Sequence, residues 1–121
     1  MLLVDARAGV SQIHGIGLIA HEFIPQGTCL WVFRPDFDLV FTEAQLQALP
    51  PAAQRQVRHY SYYHPDLARY ILCSDDARFV NHADDPNMGD DGEINYAVRD
   101  IQVGEELTWN YRPWIAADFL A

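Results

Sequence analysis

The sequence predicts a single α+β domain, mostly β, in which several short-stranded sheets surround a short helical insertion. Three observations carry that expectation. Short stretches rich in β-branched and aromatic residues recur toward both ends, separated by clusters of Gly, Pro, Asn and Asp. The middle of the chain, about residues 42–64, carries helix start and stop signals instead. Finally, 121 residues that are 50% hydrophobic and 12% aromatic suffice for one modest core without disulfide or metal staples, and no linker, repeat or low-complexity tract divides them.

Taken in order, "LLVDARA" (residues 2–8) and "GLIAHEFI" (17–24) read as two strands, the second ended by the "PQG" turn at 25–27. "CLWVF" (29–33) is a third, closed by "RPDFD". Thr42 with Gln45 three residues on has the pattern of a capping box, so "TEAQLQAL" (42–49) should run as a short helix up to Pro50. Pro51 then suits the first position of a second helix through "PAAQRQVRHY". Strand character returns at "YILC" (70–73), "RFVNH" (78–82) and "EINYAVRDI" (93–101), where Ile94, Tyr96 and Val98 alternate with Asn95, Ala97 and Arg99. A turn within "MGDDGE" (88–93) feeds that strand, and "VGEELTWNY" (103–111) gives a glycine turn and a last short strand.

Composition narrows the function. No apolar run approaches the length of a membrane span, and Asp5 breaks the pattern of a signal peptide, so an intracellular, soluble protein is expected, cytoplasmic or exported into a host cell if it is an effector. The net charge of −9, from 17 acids against 8 bases, disfavours direct binding to nucleic acid and suits a basic protein partner. All the bases are arginine; the chain contains no lysine. Cys29 and Cys73 form no CxxC, the five histidines show no i, i+4 pair, and the acid-rich stretch from 82 to 93 fails the EF-hand template at Gly89, so no metal site is expected. GxSxG and P-loop patterns are lacking as well.

Three segments remain. "SQIHGIGL" (11–18) carries Gly15 and Gly17 ahead of a strand, "RFVNHADDPN" (78–87) sets an Asn-His pair after an apolar start, and "GEELTWNY" (104–111) ends in a tyrosine. Alone, each has a plain structural reading as a turn, a loop or a strand end. Together, in this order, they resemble the SET-domain family of protein lysine methyltransferases, whose patterns are S-x-x-x-G-x-G-hydrophobic, R-F-hydrophobic-N-H-x-x-x-P-N and G-E-E-L-T-x-D-Y. The resemblance spans essentially the whole chain, taken as one SET domain over residues 1–121.

What the resemblance implies is a SET fold with a pseudoknot-like crossing near the C-terminus, S-adenosylmethionine as cofactor, and methyl transfer to a lysine in a basic protein segment such as a histone or histone-like protein. It also implies cofactor contacts from His14, Gly15, Gly17, Arg78, Phe79, Asn81 and His82, and a catalytic role for Tyr111. Tyr62, in "HYSYYHP" (59–65), stands about where the family carries a second channel tyrosine, with Tyr60 and Tyr63 as competitors. Trp114 would stack on adenine or close the channel, or else pack the C-terminus on the core. A lysine of ordinary pKa ~10.4 is neutral in only roughly four molecules in ten thousand at pH 7, so such a site must favour the uncharged amine by desolvation and by the adjacent sulfonium.

Two departures stand out: Asn110 replaces the Asp that commonly precedes the last tyrosine, and Ala83 replaces a frequent Ser. No cysteine-rich flank is present, so the segment that completes the pocket in many family members would come from "RPWIAADFLA", a second subunit or the substrate. The compact form is similar to minimal viral and bacterial SET proteins, some of which are dimers. The competing reading is a catalytically idle SET-like module that only grips a lysine-rich peptide.

Overall fold

The computed structural model of the chain describes residues 1–91 and 94–112. In chain order the elements are β1 (Ala6–Val10), β2 (Ile16–Ala20), β3 (Cys29–Val32), β4 (Leu39–Phe41), α1 (Glu43–Gln47), α2 (Pro51–Tyr60), β5 (Tyr62–His64) and β6 (Arg69–Leu72). A 3-10 turn over Asp76–Phe79 follows, then β7 (Asn81–His82), β8 (Met88–Asp90), β9 (Ile94–Ala97) and β10 (Glu106–Trp109). This is the mostly β, several-sheet architecture that the sequence predicts.

The strands form three small sheets, ordered β1-β2-β10-β7, β3-β9-β8 and β4-β6-β5. β1 and β2 make an antiparallel hairpin in register from Ala6 opposite Ala20 to Val10 opposite Ile16. β10, from the end of the described chain, lies between β2 and β7: antiparallel to β2 through Glu106 and Leu107, and parallel to β7 through Thr108 and Trp109. The crossing expected near the C-terminus takes this form. It brings the first, second and third sequence motifs onto adjacent strands.

Leu18, Leu30, Ile101 and Leu107 are completely buried at the centre of the main core, with Ile24, Trp31 and Trp109 packed around them. Each such side chain contributes about 1.5–3 kcal/mol by leaving water. A smaller second core joins Leu46, Val57 and Tyr70, covered by Phe41, Leu49, Tyr63 and Leu72. Here the local signals act as read: Thr42 Oγ1 accepts the Gln45 N–H at 3.0 Å, the Gln45 side chain accepts the Thr42 N–H at 2.8 Å, and Pro51 starts α2.

Some elements differ from the sequence reading. "RFVNH" is not one strand: Arg78 and Phe79 end the 3-10 turn, and only Asn81 and His82 pair with β10. β4 and β5 were not expected as strands, and β5 closes the helical insertion with an extended segment. The alternation read from the sequence left the inward face of β9 open; Asn95 and Ala97 are buried, and Val98, just past the strand, is 39% exposed. The reason is Gly89 on β8: a Cβ there would meet the Tyr96 ring at 2.7 Å and Val98 at 2.8 Å, so these large side chains pack over the glycine on the outer face.

Candidate functional site

The site is built from the three motif segments. Ser11 N–H donates to the Gly15 carbonyl at 2.9 Å, closing the β1–β2 loop, and Gly15 adopts φ +53°, which a side chain would strain. Ser11 Oγ accepts the N–H groups of Ile13 at 2.9 Å and His14 at 3.1 Å while its own proton goes to Glu106, 2.7 and 2.9 Å from the two carboxylate oxygens. The Asn81 amide nitrogen then lies 2.9 Å from Glu106 Oε2, 3.1 Å from the His14 carbonyl and 3.2 Å from the Ile16 carbonyl. One carboxylate and one amide therefore tie the loop, β7 and β10 together.

This arrangement explains Gly17. It is buried, its φ is ordinary, and a Cβ there would stand 2.5 Å from Glu106 Oε2. Gly17 makes room for the carboxylate, and Gly15 makes the turn. The sequence reading gave both glycines a direct approach to a ligand; among them only Gly15 lines the cavity described next. Ser11 and Glu106 were passed over as site residues, although both occupy fixed positions in the first and third motifs.

A cavity of about 440 Å³ opens between the β1–β2 loop (His14, Gly15, Ile16), the end of α2 with β5 (Arg58 to Tyr63), Arg78 to Asn81, Tyr70 and Tyr111. That volume is within the usual range for a small-molecule site. A narrow second cavity of about 30 Å³ lies behind it, bounded by Trp31, Met88, Asn95 and Trp109 among others. Tyr60, Ser61, Tyr62, Arg78, Val80 and Tyr111 line both cavities and so form the wall between them.

That wall is aromatic. Tyr62 meets Trp31 edge-on at 6.0 Å and Trp109 at 5.4 Å, and Trp109 meets Tyr111 at 5.2 Å. Of the three competing tyrosines, Tyr63 packs on Tyr70 in the second core at 5.2 Å, and Tyr60 packs on Phe79 at 5.6 Å. Tyr62 is the one packed edge-on in series with Trp109 and Tyr111.

Tyr111 donates its hydroxyl hydrogen to the Val80 carbonyl. Burial pushes its pKa well above the ordinary phenol value, and the nearby Cys73 acts in the same direction. Cys73 itself is pushed up to about 12, mainly by burial. Both groups are neutral at physiological pH, so Tyr111 is a hydrogen-bond donor there and not a base. The backbone N–H of Tyr111 donates to His82 Nδ1 at 3.2 Å, and the two rings stack at 20°. His82 thus faces Tyr111 and does not line the larger cavity.

Arg78 is half-buried on both cavities, and its guanidinium forms no salt bridge among the described residues. Asn87, fully buried, clamps β10 by accepting the Thr108 N–H at 2.8 Å and donating to the Glu106 carbonyl at 2.9 Å. Trp114 lies outside the described residues. Among the described residues no group of three or more His, Cys, Asp or Glu could hold a metal ion, and no helix is long and apolar enough to cross a membrane.

The SET domain family profile matches residues 15–112, and the chain belongs to that family. No curated protein sequence matches it. Among solved structures it is similar to Chaetomium thermophilum Polycomb Repressive Complex 2 bound to GSK126, with a TM-score of 0.70 and 21% identity over 94% of this chain and 16% of the other. It is also similar to a Plasmodium falciparum protein described as a candidate histone methyltransferase, with a TM-score of 0.62 and 19% identity over 91% of this chain and 95% of that one. A humanized mutant of the Chaetomium complex bound to the same inhibitor gives 0.65 and 22%, over 90% of this chain. The chain spans 15% of the length of that mutant chain.

Proposed function

We propose that this chain is an S-adenosylmethionine-dependent protein-lysine N-methyltransferase acting on a lysine in a basic protein segment. The observation that carries the reading is the neutral, hydrogen-bonded Tyr111 set in an aromatic wall between a ligand-sized cavity and a narrow one. Family membership supports the same reaction class, and the charge of −9 suits a basic substrate.

The residues present fit the cofactor. Arg78, which forms no salt bridge among the described residues, offers a cation to a carboxylate, the loop at Gly15 exposes backbone to the cavity, and Phe79 and Tyr60 give apolar rings to a flat base. His14 and Asn81 complete that rim, with the Asn81 amide holding the loop in shape. When bound, S-adenosylmethionine supplies a methyl group on a sulfonium, an electrophile that needs no metal.

The protein's own part is threefold. Tyr62 and Tyr111 of the wall, with Trp109 on the narrow cavity's side, give that cavity an aromatic lining, which disfavours the ammonium form of an entering lysine. The Val80 carbonyl fixes the Tyr111 hydroxyl at the junction of the cavities. The passage then holds amine and methyl on one line, a gain of proximity and orientation with no covalent intermediate.

Calorimetric titration with S-adenosylmethionine and S-adenosylhomocysteine, followed by transfer of a labelled methyl group to core histones and polylysine, tests the proposal. One-to-one binding lost in Arg78→Ala, with label on lysine, is the expected result. Peptide binding without transfer would replace it with an idle peptide-gripping module, and binding of neither cofactor form in the presence of polylysine would overturn the cofactor assignment.

A further inference from the structure

Asp84 occupies a position that the R-F-hydrophobic-N-H-x-x-x-P-N pattern leaves open, yet its carboxylate has two partners close to the site. Asp84 Oδ1 lies 2.8 Å from His82 Nε2 and 3.0 Å from an Arg112 guanidinium nitrogen. The opposite ring nitrogen of His82, Nδ1, receives the Tyr111 backbone N–H at 3.2 Å. A neutral imidazole carries a single proton, so Nδ1 can accept only while Nε2 holds that proton. An ionised carboxylate can only accept, and Asp84 is held in that form by the His82 hydrogen bond and by the charge of Arg112. The carboxylate therefore selects the tautomer that Tyr111 requires.

The location makes that selection matter. β10 ends at Trp109, whose carbonyl accepts the Ala83 N–H at 3.1 Å, and Tyr111 lies just beyond the last paired residue. Past that point the ladder no longer fixes the backbone. Tyr111 is held instead at two points, its N–H on His82 and its hydroxyl on the Val80 carbonyl, with its ring stacked on the imidazole. We propose that Asp84 is a positioning residue for Tyr111, acting through the tautomer of His82. The functional consequence rests on the role assigned to Tyr111 above; the structural one does not.

Two measurements on the intact chain separate these. Long-range proton–nitrogen spectra of the His82 ring report its tautomer, and hydrogen exchange reports protection of the Tyr111 amide; neither needs substrate. In Asp84→Ala the ring should lose its single Nε2–H form and the Tyr111 amide should exchange about fivefold faster, the scale of one lost hydrogen bond. Asp84→Glu, whose carboxylate can still only accept, should restore both, Asp84→Asn, whose amide can donate as well as accept, should not, and Asp85→Asn, at an exposed neighbouring acid, should change neither.

In methyl transfer to core histones, Asp84→Ala should lower kcat about tenfold with S-adenosylmethionine affinity within a few-fold, as misplacement of one group would. An alanine variant with wild-type tautomer and wild-type Tyr111 protection would overturn the proposal. So would a changed tautomer with an unchanged Tyr111 amide, since Asp84 would then not act on Tyr111. A wild-type chain that transfers no methyl group would count against the function assigned to the site, while the tautomer and exchange measurements would still decide whether Asp84 positions Tyr111.

Discussion

The second core and the motif crossing are assembled in opposite ways. Around Leu46, Val57 and Tyr70, the fold follows from neighbours in sequence: a capping box starts α1, Pro51 starts α2, and apolar side chains of both helices cover β6. At the crossing, Ser11, Asn81 and Glu106 come from three distant segments and meet through polar bonds. A region held by dispersion and burial loses stability in proportion to the atoms removed. A polar cluster loses geometry instead, because each partner left unpaired must find another. Stability and activity should therefore respond separately to changes in the two regions.

Leu46→Ala should have the largest effect on stability. Leu46 is completely buried in a small core with few neighbours to close the gap, so a loss of about 2–5 kcal/mol is expected in urea unfolding. Under conditions where the variant is folded, S-adenosylmethionine affinity should stay within a few-fold of wild type. Loss of that affinity in the folded variant would show that the two regions are one unit.

Tyr111→Phe probes the other region from the opposite side. It removes the hydroxyl on the Val80 carbonyl and keeps the ring against Trp109 and His82. Methyl transfer should fall about a hundredfold, the scale for loosening a group that aligns the reactants, with cofactor affinity within a few-fold and a Tm close to wild type. Unchanged transfer would remove Tyr111 from the mechanism.

Gly17→Ala sharpens the contrast, since one methyl group should disturb the crossing alone. The new Cβ would stand 2.5 Å from the Glu106 carboxylate, which cannot swing away without releasing Ser11 and Asn81. A cost of about 1–3 kcal/mol is expected, as for overpacking elsewhere. The amides of Ile13 and His14, which donate to Ser11, should exchange faster while those of α1 and α2 keep their protection. Uniform loss of protection across both regions would contradict the separation.

Legibility in the sequence divides along the same line. The capping box, Pro51 and the glycine turn at Gly104 could be read because each signal acts within a few residues. The three motifs pointed to the family as a set, but the partners of each residue could not be read from any of them. Gly17 looked like a ligand-facing glycine because nothing local reveals Glu106, distant in sequence, behind it. The alternation along β9 could be read, but not which of its two faces is inward, which Gly89 on a neighbouring strand decides. His82 and Asp84 form a pair two residues apart, yet its meaning depends on Tyr111, which another strand delivers.

The smallest effect tests whether charge as well as packing supports the helical region. The Arg58 guanidinium, 2.7 Å away, is the main cause that holds the Glu43 carboxyl at about 2, with a further contribution from the Tyr70 hydroxyl. Because the folded chain depresses this group, its contribution to stability is complete above the ordinary carboxyl value near 4.5 and is lost as pH falls toward about 2. Glu43 is 47% exposed, so solvent screening keeps the pair to about 1 kcal/mol or less. Glu43→Gln should accordingly lower Tm by only a few degrees at pH 7 and flatten the decline in Tm between about pH 4.5 and 2. A decline as steep as in wild type would mean that other carboxylates dominate acid unfolding and that the Glu43–Arg58 pair adds little to the packing of α1 against α2.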